Sequence, residues 1–203
     1  MHMIEINDPL AIPIAQQVIE AGGIAAFPTD TIYGIGASAY LPAAIDRIYA
    51  IKGRDLSKSI PVLIGSMEQL SVVVSEFNEI AQRLAERFWP GPLTIVLPKH
   101  PDLPANLSTT ETIGVRFPAH PFIAQLITQA GPLAVTSANL SGGQNTLTAQ
   151  DVVDQLGDRL DLILDGGSTP GPIPSTVVSC LGSDYKILRH GVITASQIDV
   201  LFS

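Results

Sequence analysis

The chain has 203 residues, 46% of them hydrophobic and 15% charged, with a net charge of −8. That is enough apolar material for one domain, 1–203, and the acidic balance weighs against a generic nucleic-acid binder. No stretch reaches the ~20 apolar residues of a membrane span and no basic segment opens an apolar run at the start, so a cytoplasmic chain with no membrane partner is expected.

In chain order, Ile14, Val18 and Ile19 share one face of a helix that follows Pro9 and stops at Gly22-Gly23. Residues 24–27 read as a buried strand. Pro42 opens a second helix that runs to Lys52, with Ile45, Ile48 and Ile51 as its stripe. Residues 60–64 read as a short strand, peripheral at its start because Pro61 cannot donate to a ladder. A helix over 80–89 is stopped by Trp89-Pro90-Gly91-Pro92. Strands follow at 93–97 and 113–117, a helix at 122–130, a strand at 133–136, a helix at 151–156 and a strand at 160–164. The last strands read as 176–181 and 186–188, and Thr194 caps a closing helix. This alternation predicts an α/β fold: one twisted mixed sheet flanked by helices, with ligands in loops after strand ends.

One cysteine, Cys180, excludes an internal disulfide, and its apolar run, 176–181, points to a buried structural thiol. His2, His100, His120 and His190 lack metal-ligand spacing, so no protein metal site is expected. The chain holds eleven Lys and Arg, and three of them, Lys52, Arg54 and Lys58, fall within seven residues. That cluster either clamps phosphate oxygens or is a solvated loop at a helix C-terminus. Pro28-Thr29-Asp30-Thr31 and Tyr33-Gly34-Ile35-Gly36 either bring hydroxyls and open backbone to a ligand or form an ordinary turn. The match of residues 34–39 to G-x-G-x-x-A is rejected as a nicotinamide site, since the helix starts only at Pro42 and the acidic residue at the right distance, Asp55, lies in the cationic loop. Residues 136–142 offer hydroxyls and an amide after a strand, either for a nucleotide's polar edges or as a polar surface loop, and taken alone they read as the loop. Arg116 and Arg189 each read as a structural ion-pair partner or as a fork for a carboxylate or phosphate.

Seven motifs in order then carry a resemblance: Pro28-Thr29-Asp30-Thr31-Ile32-Tyr33-Gly34, Lys52-Gly53-Arg54, Trp89-Pro90-Gly91-Pro92-Leu93-Thr94, Val115-Arg116-Phe117-Pro118-Ala119-His120-Pro121, Thr136-Ser137-Ala138-Asn139-Leu140-Ser141-Gly142, Ser175-Thr176 and Leu188-Arg189-His190-Gly191. Together they resemble the YrdC family of threonylcarbamoyl-AMP synthases over nearly the whole chain. The resemblance implies a twisted sheet with a concave cationic cleft and a nucleotidyl transfer. L-threonine, bicarbonate or carbon dioxide, and ATP give threonylcarbamoyl-AMP and pyrophosphate, and a downstream transferase complex modifies tRNA. It also implies that Thr31, Arg116 and Ser175 hold threonine. Lys52, Arg54 and Lys58 meet the ATP phosphates, with Lys52 and Arg54 catalytic. Thr112, Ser137, Asn139 and Arg189 surround the nucleotide, and Mg²⁺ arrives with ATP.

Two departures stand out. Some relatives carry a threonine-contacting histidine where this chain has Leu63, and longer members add a C-terminal domain, so ending at Ser203 implies the short form. A runner-up of another class is a non-catalytic RNA-binding or ribosome-maturation factor that contacts tRNA or double-stranded RNA through the same cleft. A third is a carbamoyl-adenylate enzyme with a different acceptor.

Overall fold

The computed structural model describes residues 2–202. The chain enters on β1 (His2–Glu5) and turns into α1 (Ala11–Glu20), whose Ala11, Ala15 and Ile19 recur at helical spacing and are buried. β2 (Ala25–Phe27) and β3 (Gly34–Ser38) pair antiparallel, Phe27 opposite Gly34, so residues 28–33 are a compact strand-to-strand connection. α2 (Pro42–Lys52) takes proline in its first turn, where the missing N–H is no loss, and ends on Gly53 at φ 58°, ψ 38°.

Next come β4 (Val62–Leu63), α3 (Glu79–Phe88), β5 (Leu93–Pro98), β6 (Thr112–Arg116), α4 (Pro121–Ala130) and β7 (Leu133–Ser137). The chain closes through α5 (Ala149–Leu156), β8 (Leu162–Asp165), β9 (Thr176–Ser179), β10 (Lys186–Arg189) and α6 (Ala195–Asp199). Capping boxes from Thr148 and Thr194 start α5 and α6.

Among the described residues the strands form one mixed ten-stranded sheet, in the order β1-β8-β2-β3-β7-β4-β6-β5-β9-β10. Strand residues alternate between its two faces. Ile35, Ile95, Val115 and Val178 point into one core with Ile45 and Ile48 of α2, Leu84 of α3 and Val152 of α5. Phe27, Leu63, Leu133, Val135 and Leu164 meet Ala15 and Ile19 of α1 and Ile123 and Ile127 of α4 in a second core on the other face. The α/β expectation holds. Cys180 is buried, and burial pushes its thiol up to about 12, which makes it an inert core residue.

Three sequence expectations change. Residues 60–64 are not at the sheet's periphery: β4 lies between β7 and β6. Pro61 sits one residue before the ladder, where only its carbonyl is needed, as acceptor for Val135 N–H at 2.9 Å. Gly34 and Gly36 are strand residues of β3 rather than loop glycines. The N-terminal strand β1, unexpected from sequence, joins β8 in parallel register. No described helix is long and apolar enough to cross a membrane.

Candidate active site

Helices α1 and α4 cover only part of their sheet face. Beyond Leu63 and Val135, which belong to that packed core, the same face opens into a cavity of about 350 Å³. Strand alternation supplies its floor: Gly34 of β3, Ser137 of β7, Gly114 and Arg116 of β6, Thr94 and Val96 of β5, and Val177 of β9 all line it. Arg54, Asn145, Ser175 and Arg189 complete the rim, and no acidic side chain is among the described residues that line it.

Arg116 is fixed from three sides. Its Nε donates to the Gly91 carbonyl at 3.0 Å, Nη1 to Thr31 Oγ1 at 3.2 Å and Nη2 to Asp30 Oδ1 at 2.6 Å. The turn 89–92 that stops α3 therefore also anchors the arginine. A guanidinium has five N–H donors, so these three bonds leave capacity for a ligand in the cavity. Thr31 in turn shares a 3.0 Å hydrogen bond with Thr29 Oγ1, whose hydroxyl donates to the Ile32 carbonyl and holds the connection rigid. Asp30 Oδ2 and His120 Nδ1 are buried with no hydrogen-bond partner among the described residues. Burial lowers the His120 imidazole, against the pull of Asp30.

On the opposite wall, Ser175 Oγ shares a 2.9 Å hydrogen bond with Thr94 Oγ1. Arg189 grips the same residue: Nη2 donates to the Ser175 carbonyl at 2.9 Å and to its hydroxyl at 3.1 Å. Gly191 is required here, since a Cβ would lie 2.4 Å from the backbone of 174–176. Arg54 donates from Nε to the Lys58 carbonyl and from Nη2 to that of Ser59, each at 3.0 Å.

Like charge links the three arginines in a row, Arg54 acting on Arg189 and Arg189 on Arg116. Burial lowers each of them; the Arg54 charge lowers Arg189 further, and that of Arg189 lowers Arg116 against the hold of Asp30. Like charges gathered around one cavity with no lining carboxylate are relieved by an anion.

Of the residues singled out in the sequence, Thr31, Arg54, Arg116, Ser137, Ser175 and Arg189 line this one cavity. Four do not. Lys52 is 2% exposed, and its ammonium donates to the Ser137 and Asn139 carbonyls and to Asn139 Oδ1. Asn139 is buried beside it. Lys58 is exposed, and its carbonyl, not its ammonium, takes part in the loop. Thr112 begins β6 on the face that carries Gly114 and Arg116 and shares a 2.9 Å hydrogen bond with Thr110. The arginine alternatives merge: Arg116 is both ion-paired and on the cavity wall. Sequence reasoning gave no role to Thr94, although a threonine inside the apolar run 93–97 was its signal, nor to Asp30 as the partner of Arg116.

Fold and site together define an α/β protein with a hydroxyl- and arginine-lined pocket on an uncovered sheet face. The profile of the Sua5/YciO/YrdC family, described as "Telomere recombination", matches residues 17–191. A Bacillus subtilis protein named threonylcarbamoyl-AMP synthase is 39% identical over 198 residues, covering 96% of this chain and 57% of the relative. A Mycobacterium tuberculosis protein named as a putative threonylcarbamoyl-AMP synthase is 35% identical over 181 residues, covering 89% of this chain and 83% of the relative. The crystal structure of Pyrococcus abyssi Sua5 complexed with L-threonine superposes with a TM-score of 0.91 at 38% identity, over 94% of this chain and 56% of that one. The chain belongs to the Sua5/YciO/YrdC family, and it spans little more than half the length of the Bacillus and Pyrococcus relatives.

Proposed function

We propose that this chain is a threonylcarbamoyl-AMP synthase, a nucleotidyltransferase that joins L-threonine, bicarbonate or carbon dioxide, and ATP. The observation that carries the reading is the gathering of three arginines, Arg54, Arg189 and Arg116, around a single cavity that also presents the Thr31, Thr94 and Ser175 hydroxyls. That set suits one carboxylate and one polyphosphate side by side. The names of the relatives and the threonine-bound Pyrococcus structure support the same assignment.

In this reading Arg116, held by Asp30, takes the threonine carboxylate, and Thr31 and Ser175 take its polar end. Arg54 and Arg189 face the phosphates, Lys58 lies at the rim of the same loop, and Thr112 and Asn139 border the nucleotide. The threonine nitrogen adds to the carbon of carbon dioxide and loses a proton, giving a carbamate. A carbamate oxygen then attacks the α-phosphorus, and the bond from that phosphorus to the α,β-bridging oxygen breaks, so the β- and γ-phosphates leave together as pyrophosphate. Positioning and charge stabilisation do this work with no covalent nucleophile. Mg²⁺ is assigned to the ATP phosphates, as part of the substrate. The product then passes to a tRNA-modifying transferase in the cytoplasm.

The test is pyrophosphate release from ATP and bicarbonate with L-threonine, with L-serine and with no amino acid. Threonine-dependent release supports the reading. Release that ignores the amino acid, or none from folded protein, rejects it, and strongly salt-dependent RNA binding would then favour the RNA-factor alternative.

A further inference from the structure

Lys52 carries a charge that the cavity never meets. It is absent from the wall that Arg54, two residues on, lines. An ammonium has three N–H donors, and three oxygens take them: the carbonyls of Ser137 and Asn139 and, at 3.3 Å, Asn139 Oδ1. The Lys52 carbonyl accepts from Ser141 N–H at 3.0 Å. One residue thus holds the turn 137–141 against the end of α2 through both side chain and main chain. The left-handed Gly53 then redirects the chain, so Arg54 emerges on the cavity side.

The polarity of the turn follows from which atoms can donate. Asn139 Nδ2 lies 2.7 Å from the Gly143 carbonyl, which only accepts, so the amide oxygen faces Lys52 Nζ and Ser137 Oγ. An amide oxygen cannot donate. The Ser137 hydroxyl, 2.6 Å away, therefore gives its single proton to Asn139, and Ser137 turns lone pairs to the cavity that it lines.

We propose that Lys52 is a positioning residue which, through Asn139, fixes the Ser137 hydroxyl as an acceptor, so that the ligand group met there is an N–H or O–H donor and not a phosphate oxygen. This rests on the function proposed for the cavity, in which the donors on offer are the threonine nitrogen and hydroxyl, the ribose hydroxyls and the adenine amino group. The polyphosphate belongs with Arg54 and Arg189. The ammonium of Lys52 works on the substrates through the turn and does not touch them.

The experiment compares wild type, Lys52→Met, Lys52→Arg and Ser137→Ala, with Arg54→Ala as the phosphate control. Calorimetry measures tripolyphosphate, adenosine and L-threonine, and hydrogen exchange follows the Ser141 amide. The expected pattern is tripolyphosphate affinity within about twofold of wild type in Ser137→Ala and Lys52→Met, and adenosine or L-threonine weakened about tenfold, the scale of one hydrogen bond. The Ser141 amide exchanges faster in Lys52→Met and recovers in Lys52→Arg. Tripolyphosphate lost in Ser137→Ala as in Arg54→Ala would overturn the acceptor assignment. Unchanged Ser141 exchange in Lys52→Met would overturn the positioning role, whether or not the protein makes an adenylate. If Lys52→Met does not fold, Ser137→Ala still decides the acceptor assignment. The positioning role then rests on the pH dependence of Ser141 protection, its exchange rate relative to the intrinsic base-catalysed rate: protection should fall above about pH 8 in wild type and not in Lys52→Arg, and equal protection profiles would overturn it.

Discussion

Arg116 and Asp30 form an ion pair at 2.6 Å with side chains only 8% and 12% exposed. Breaking such a pair from one side strands a buried charge, at about 3–5 kcal/mol, whereas removing both partners is far milder. Arg116→Met is expected to lose stability on that scale together with L-threonine binding. The double variant Asp30→Asn, Arg116→Met is expected to regain most of the stability but no threonine affinity. Urea denaturation and calorimetry separate the two effects. Threonine binding that survives in the double variant would remove the carboxylate role from Arg116.

Arg54 rests on two loop carbonyls, those of Lys58 and Ser59. Arg54→Ala should reduce turnover by about 10²–10³-fold, the usual effect of losing one preorganised donor at developing charge. Its stability should stay within about 1 kcal/mol of wild type. Steady-state pyrophosphate release and a thermal melt check both, and full turnover would contradict the phosphate assignment.

Gly114 keeps the cavity floor open. A Cβ there would lie 3.0 Å from Thr94 Cγ2 and 3.5 Å from Pro61 Cβ. Gly114→Val adds branches over the floor while valine suits a strand. The expected result is a fold unchanged by circular dichroism and ligand affinity reduced by at least about tenfold, or ~1.4 kcal/mol.

Lys52 has a pH signature with opposite signs for activity and stability. Burial, then the Arg54 charge, lowers its ammonium to about 8, while an unfolded chain holds that proton to ~10.4. Between these values the unfolded state binds more protons, so this group alone makes stability rise with pH. The neutral amine has two N–H donors for three oxygens, so its hold on 137–141 slackens in the same window. Activity should fall above about pH 8 while the stability of wild type relative to Lys52→Met increases. Lys52→Arg should carry the activity loss to higher pH. Rate profiles and urea titrations below and above that pH measure both.

Much of this fold is legible from periodicity. Pro42 and Gly53 punctuate α2, whose limits are those read from the sequence, because proline and glycine act locally. β3 is not legible: Gly-Ile-Gly-Ala-Ser has weak strand propensity, and it becomes a strand because β2 and β7 pair with it from either side. β1 is missed for a related reason, as its exposed His2 and Met3 show no alternation and only pairing with β8 orders them. In the site, Arg116 is legible as a charge within an apolar run, yet Asp30 as its partner is not, because 86 residues separate them. Lys52 and Arg54 look equivalent in sequence. Only the left-handed turn at Gly53 shows that one faces the 137–141 turn and the other the cavity.

The reaction proposed for the cavity joins threonine, a one-carbon acid and AMP. It is tested most directly by incubating the protein with ATP, L-threonine and ¹³C-bicarbonate and resolving the products by mass spectrometry. Threonylcarbamoyl-AMP carrying a single heavy carbon should form together with pyrophosphate, and about 10²–10³-fold more slowly in Arg54→Ala. ATP turnover with no labelled adenylate, or an adenylate that forms equally well without threonine, would contradict it.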